Sequence, residues 1–232
     1  MKKPINQNFI QIRNLSKGYL EGDRFLQVLC ECSLSVAKGE FVAVVGKSGT
    51  GKSTLLNLIS GIDRVDSGEI YINGQELTGL SEIRRTLFRR NSIGFIFQFF
   101  NLIPTLSVLE NVTLPLELNG VPLVDARERA KKRLADVDLD DRLDAFPDRL
   151  SGGEQQRIAI ARALVHDPIL VLADEPTGNL DEETGMAVLT LLDRLTRRSN
   201  KNLIMVTHSR DNAAIADRII ELREGCFSEI EA

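Results

Sequence analysis

The sequence predicts an α/β fold: a mixed sheet at the core, an antiparallel β-part toward the N-terminus, and an inserted α-helical lobe. Three observations carry this. The β-branched run Phe41-Val42-Ala43-Val44-Val45 reads as a buried strand, and it leads through the glycine-rich stretch Gly46 to Thr54 into the helically spaced Leu55-Leu56-Asn57-Leu58-Ile59. The run Ile169 to Asp174 is continuously apolar up to its last residue, as in a buried parallel strand, and strand–helix alternation follows it. Between these, from Val108 to about Ala163, the pattern turns helical, with solvated charge in segments such as Ala126 to Leu134 and punctuation by Pro104, Pro115, Pro122 and Pro147.

In chain order, Phe9-Ile10-Gln11-Ile12-Arg13 alternates as a half-buried strand, and so does Val28 to Val36, with Lys17 to Leu20 between them. Ala37 to Glu40 is a turn into the Phe41 strand. Gly68 to Ile72 alternates again and ends in the turn pair Asn73-Gly74. Ile93 to Gln98 is a further strand. After Asp174, the spacing of Val188, Leu189, Leu192 and Leu195 predicts a helix, with Asp181-Glu182-Glu183 near its start. Leu203 to Thr207 reads as a strand, Asp211 to Ala216 as a helix, and Ile219 to Arg223 as a last strand closed by Glu224-Gly225. A single domain over 1–232 is expected, with the helical lobe at about 99–163 and the sheet-based parts at about 8–98 and 164–232.

A chain of 232 residues, 43% hydrophobic and 27% charged, can bury a sizeable core. A net charge of −4 gives no electrostatic footprint for nucleic acid, so no nucleic-acid partner is expected. Met1 to Asn8 has no apolar core after its lysines, which predicts no signal peptide. No apolar run approaches the ~20 residues of a membrane span. Three cysteines are too few for a disulfide framework. Alternation puts Cys30 and Cys32 on one strand face, and with Cys226 they read as core or strand residues of a reducing compartment. His166, near a helix C-terminus, is expected to cap it.

The chemistry concentrates in a few stretches. Gly46-Lys47-Ser48-Gly49-Thr50-Gly51-Lys52-Ser53-Thr54 has the spacing of a phosphate loop in its strand-to-helix context. Glycines let backbone N–H groups close on polyphosphate, the helix N-terminus adds its dipole, Lys52 reaches β- and γ-phosphates, and Ser53 is placed to ligate Mg²⁺. Leu172-Ala173-Asp174-Glu175 ends a buried strand in two acids. Asp174 suits a second Mg²⁺ ligand and Glu175 a base for water, against the plainer reading that two acids end a strand at solvent. In Leu150-Ser151-Gly152-Gly153-Glu154-Gln155-Gln156-Arg157, Ser151 and Glu154 form a capping box. Two glycines just inside the cap cost about 1 kcal/mol each in a helix interior, and their use would be to offer bare N–H groups to an anion.

Taken together, these stretches resemble an ATP-binding cassette (ABC) ATPase over nearly the whole chain. Walker A lies at Gly46 to Thr54, the glutamine loop at Gln98, the signature at Leu150 to Gln155, Walker B at Ile169 to Asp174, the D-loop at Asn179-Leu180-Asp181 and the switch histidine at His208. The resemblance implies a P-loop NTPase fold with a RecA-like core, MgATP as ligand and ATPase activity. It implies that Tyr19 stacks on adenine, that Gln98 senses Mg²⁺ and the attacking water, that Glu175 is the catalytic base, and that His208 contacts the γ-phosphate. It also implies that Ser151 and Gly153 complete the site of a second copy of the chain in a head-to-tail ATP sandwich, across which Asp181 communicates. Glu154 departs from the more usual glutamine of the signature. Phe97 to Val112, with the signature and Ala173 to Asp181, resembles the MacB/LolD/FtsE group. That resemblance implies a separately encoded integral membrane permease, a place at the cytoplasmic face of the inner membrane, and a role in export or lipoprotein release. The alternative it leaves open is an FtsE-like regulator of cell-wall or division machinery. Phe99, Phe100 and Leu102 are expected either to line the groove that receives the membrane subunit or to be buried within the helical lobe.

Overall fold

The computed structural model describes residues 8–230, so the N-terminal stretch whose sequence lacks a leader core lies outside them up to Gln7. The elements are β1 (Asn8–Glu21), β2 (Arg24–Ala37), β3 (Phe41–Val45), α1 (Lys52–Ile59), β4 (Ser67–Ile72), β5 (Gln75–Glu76), α2 (Glu82–Ser92), β6 (Ile93–Ile96), α3 (Val108–Leu118), α4 (Leu123–Ala135), α5 (Gly152–Leu164), β7 (Leu170–Asp174), α6 (Glu182–Arg198), β8 (Asn202–Thr207), α7 (Arg210–Ala213), β9 (Arg218–Arg223) and β10 (Cys226–Ile230). The chain forms two compact units, Met1–Leu87 with Asn202–Ala232, and Phe88–Lys201.

In the first unit, β1 and β2 form a hairpin far longer than the alternation predicts. The stretch Lys17 to Leu20 belongs to β1, and Glu21 pairs with Arg24 across Gly22-Asp23, where Gly22 takes φ +61. β1 pairs antiparallel with β4 and β4 with β5, through the expected Asn73-Gly74 turn (φ 50 and 79). β3, buried along its whole length, lies parallel to both β8 and β9. The alternation of β2 slips at Glu31, whose φ is +47. Leu29 is buried, then Cys32, Leu34 and Val36, so Cys30 faces out and Cys32 in rather than sharing a face.

Two elements have no expectation in the sequence. Glu224-Gly225 is not an end but a hairpin turn, φ 51 and 76, into β10. α2 escapes pattern reading because it buries no apolar stripe. Its only buried residue is Arg85, whose stem lies 3.5 Å from where a Cβ on Gly61 would sit, while Ile83 is 75% exposed. The Asp211–Ala216 helix shortens to the single turn of α7.

In the second unit, β6 runs parallel to β7, and α5 packs so closely on β6 that a Cβ on Gly94 would fall 2.2 Å from the Ala163 carbonyl oxygen. Buried Asn111 of α3 holds the loop before it, donating to the carbonyls of Ile103, Leu106 and Ser107 and accepting from Ile103 N. His166 does not cap α5. Its Nε2 donates to the Ile93 carbonyl of β6 at 3.1 Å, and burial pushes its pKa down.

Candidate functional site

In the first unit, β3 ends at Val45 and the chain turns sharply at Gly46. A Cβ there would lie 2.7 Å from the Leu222 carbonyl and 2.8 Å from Thr50 Oγ1. Gly49 and Gly51 take φ +79 and +100, conformations that favour glycine. Gly51 is also tightly approached, since its Cβ would fall 2.3 Å from Val28 Cγ1. Gly51 caps α1 without a side-chain acceptor, and the first turn carries no acid, so the backbone N–H groups of this turn keep their capacity for an anion. Lys52 is 8% exposed, and its Nζ donates to the carbonyls of Gly46 (2.8 Å) and Lys47 (3.1 Å), drawing the loop over its own cation. Thr50 Oγ1 donates to Lys47 O, while Lys47, Ser48, Gly49 and Ser53 stand exposed.

Tyr19 is fastened beside this loop. Its hydroxyl donates to Asp63 Oδ2 at 2.7 Å, the Thr54 side chain bonds the same phenol, and Lys17 Nζ lies 4.9 Å from the ring centroid. Buried Lys17 donates to the Arg64 carbonyl (2.8 Å) and to Asp63 (3.3 Å), and Gly18 N donates to Asp66. Burial alone would raise the Asp63 carboxyl, but bonds from Tyr19, Arg64 N and Lys17 hold it below the usual range. Asp63 and Lys17 carry no motif, and nothing in their sequence spacing marks them. His208 follows Thr207, which is level with Val45 in the β3–β8 register. The histidine and the loop therefore leave adjacent parallel strands at the same end.

In the second unit, Ile96 is level with Ala173, so Gln98 and the pair Asp174-Glu175 also leave parallel strands at one end. Asp174 is half-buried, and Glu175 takes φ +45, which for a non-glycine residue costs on the order of 1–3 kcal/mol. Its carbonyl accepts from Gly178 N, which tightens the turn. A Cβ on Gly178 would meet Gln98 Nε2 at 2.7 Å, and Asn179 Nδ2 donates to Gln98 O at 2.7 Å. Asp181 caps α6 by accepting from Thr184 N, which lowers its pKa. Cβ atoms on Gly152 and Gly153 would lie 3.1 Å from Leu180 Cδ2 and 2.6 Å from Thr184 Cγ2. The paired glycines thus have a packing cause besides any anion. Ser151 N and Oγ both donate to Glu154 Oε2 at 2.8 Å, and Ser151 Oγ accepts from Glu154 N. This capping box, first through the Ser151 N–H, holds the Glu154 carboxyl low. Gln98, Ser151, Gly153, Asp174, Glu175 and Asp181 thus all lie in the second unit, and Tyr19, Gly46 to Thr54 and His208 in the first.

The family model described as ABC transporter matches residues 29–178. An uncharacterized ABC transporter ATP-binding protein of Mycobacterium tuberculosis is 55% identical over 94% of this chain and 88% of its own length. The lipoprotein-releasing system ATP-binding protein LolD of Xylella fastidiosa is 45% identical over 95% of this chain and 92% of its own. Among solved structures, a dimeric ATP-binding cassette in a post-hydrolysis state bound to ADP and Pi superimposes with a TM-score of 0.87 at 39% identity, covering 96% of this chain and 99% of that one.

Proposed function

Because the chain belongs to the ABC transporter family, as an ATP-binding subunit with ATPase activity, we propose that it holds MgATP at Gly46 to Thr54 and works as a head-to-tail dimer. In this reading it drives a separate membrane subunit of the LolD-like lipoprotein-release or export type, from the cytoplasmic face. The observation that carries the nucleotide assignment is the α1 N-terminus. It has no side-chain cap and no acid, and it lies behind a glycine turn drawn over buried Lys52. Lys52 takes the β- and γ-phosphates and Tyr19 one face of adenine. The exposed Ser53 hydroxyl, the Asp174 carboxylate and the Gln98 amide oxygen are hard oxygen donors of the kind Mg²⁺ prefers. Mg²⁺ supplies neutralisation of charge on the phosphate oxygens. Glu175 accepts the proton of the attacking water, and His208 contacts the γ-phosphate oxygens. Ser151 and Gly153 meet the γ-phosphate of the partner's ATP, with Asp181 at that interface, so ATP is a removable bridge between copies.

This reading is tested with Glu175→Gln. Losing a general base costs about 10²–10⁴ in rate, so turnover should fall by that factor while ATP binding persists and an ATP-dependent dimer accumulates on size exclusion. A variant that stays monomeric with ATP and hydrolyses at the wild-type rate sinks the assignment.

A further inference from the structure

Two thiols far apart in the chain, those of Cys32 and Cys226, meet in the first unit at the Cys30 carbonyl. Cys30 and Cys32 lie on β2 and Cys226 opens β10. The Cys30 amide donates to Gly225 O at 2.8 Å, stitching β2 to the Glu224-Gly225 turn. The Sγ atoms of Cys32 and Cys226 each lie 3.7 Å from the Cys30 carbonyl oxygen, so the two sulfurs are no further apart than twice that distance.

The slip at Glu31 decides which thiols face one another. In a regular strand Cys30 and Cys32 would share a face. Here Cys30 turns outward and Cys32 inward, to 3% exposure. A Cβ on Gly225 would fall 3.6 Å from Cys30 Cβ, so position 225 faces Cys30. The Cys32 thiol donates to Gly225 O at 2.6 Å, the carbonyl joined to the Cys226 amide, so the buried sulfur lies against the start of β10. Cys226 itself is exposed.

We propose that Cys226 and Cys32 are the two halves of a reversible intrachain disulfide, formed when the protein meets a hydroperoxide. The exposed Cys226 thiolate attacks the peroxide O–O bond. One oxygen passes to sulfur as a sulfenic acid, and the other leaves as water or alcohol after taking up a proton. The Cys32 sulfur then attacks the sulfenic sulfur, hydroxide departs, and it leaves as water with the Cys32 proton. The sulfur pair gives up two electrons and the peroxide takes them. Burial pushes the Cys32 thiol up to about 11, so it stays protonated and does not itself react with peroxide, and its ionisation sets the pace of the second step. The bridge would fasten the Glu224-Gly225 turn to β2 close to Val28, whose side chain fills the space against Gly51.

The test uses the full chain, reduced, exposed to hydrogen peroxide, alkylated, and digested without reductant for peptide mapping. The expected result is one intrachain Cys32–Cys226 crosslink, with Cys30 carrying the alkyl label and all three thiols labelled after dithiothreitol. Cys30→Ser should keep the crosslink and Cys226→Ser should lose it. The wild-type map decides the matter even if a Cys32 variant fails to fold. A Cys30–Cys226 link, a link between chains, Cys226 over-oxidised without any crosslink, or three labelled thiols after peroxide overturns the proposal.

Discussion

At the scale of single residues, the most informative side chain outside the motifs is Asp63. It accepts the Tyr19 hydroxyl and takes Lys17 and Arg64 N besides, so it sets where the ring stands beside the phosphate loop. Tyr19→Phe removes the hydrogen bond to Asp63, about 0.5–1.5 kcal/mol, and the Thr54 contact to the same phenol with it. If that bond orients the base platform, ATP affinity should fall by roughly two- to tenfold in a calorimetric titration, with stability little changed. An unchanged affinity would leave the tether without a role in binding. The carboxyl is also a pH reporter with a definite sign. A depressed folded-state pKa adds stability that is fully present above the unfolded value, about 4, and is lost as pH falls through the lower folded value. The stability gap between wild type and Asp63→Asn should therefore be constant from neutrality down to about pH 4 and close below it. A gap that widened in acid would mean the carboxyl is not held ionised by these partners.

Among the elements, the start of α5 and the start of α6 are interlocked through glycine. Gly153→Ala drives a methyl into Thr184 Cγ2. Overpacking of this kind costs about 1–3 kcal/mol, so the melting temperature should drop. Thr184→Ser, which deletes the opposing methyl while keeping the backbone N–H that Asp181 accepts, should restore most of it. A double mutant no more stable than Gly153→Ala alone would place the cost elsewhere. The same junction shows what the sequence makes legible and what it hides. Gly46 to Thr54, the Ser151–Glu154 box and the strand ending in Asp174 can be read from sequence because each needs particular residue types at fixed spacing, and the structure has the first between β3 and α1, the second at the start of α5 and the third at the end of β7. The clash that requires Gly153 depends on Thr184, 31 positions away, and no local pattern contains it. α2 hides for another reason: it is a helix whose buried residue is an arginine, so the hydrophobic period that announces helices is missing. The hairpin into β10 was signalled by Glu224-Gly225 but reads equally as an end. The slip at Glu31 reverses the face of Cys30 with no residue of turn type to mark it.

For the whole molecule, ATP-driven dimerisation has to reach a membrane subunit through a surface of the cassette. No helix among the described residues is long and apolar enough to cross a membrane, and the proposed coupling runs through a docked partner. Of the three apolar residues after Gln98, the structure singles out one. Phe99 is 72% exposed, whereas the Phe100 ring reaches within 3.6 Å of where a Cβ on Gly152 would sit, and Leu102 is half-buried. The Phe100 and Asn101 carbonyls are also held by Arg162 of α5, at 2.8 and 2.6 Å. A charge at Phe100 would therefore disturb the start of α5 along with any docking surface, and cannot separate the two. Phe99→Glu can. An exposed substitution of this kind usually changes stability by no more than about 0.5 kcal/mol, roughly a twofold effect on an equilibrium. ATP binding and the ATPase rate of the isolated chain should accordingly stay within that factor. Desolvating a carboxylate against an apolar docking surface costs far more than this, so co-purification with a co-expressed membrane partner subunit should be lost, and stimulation of the ATPase by that subunit with it. Retained co-purification with Phe99→Glu would move the docking surface away from the segment that follows Gln98.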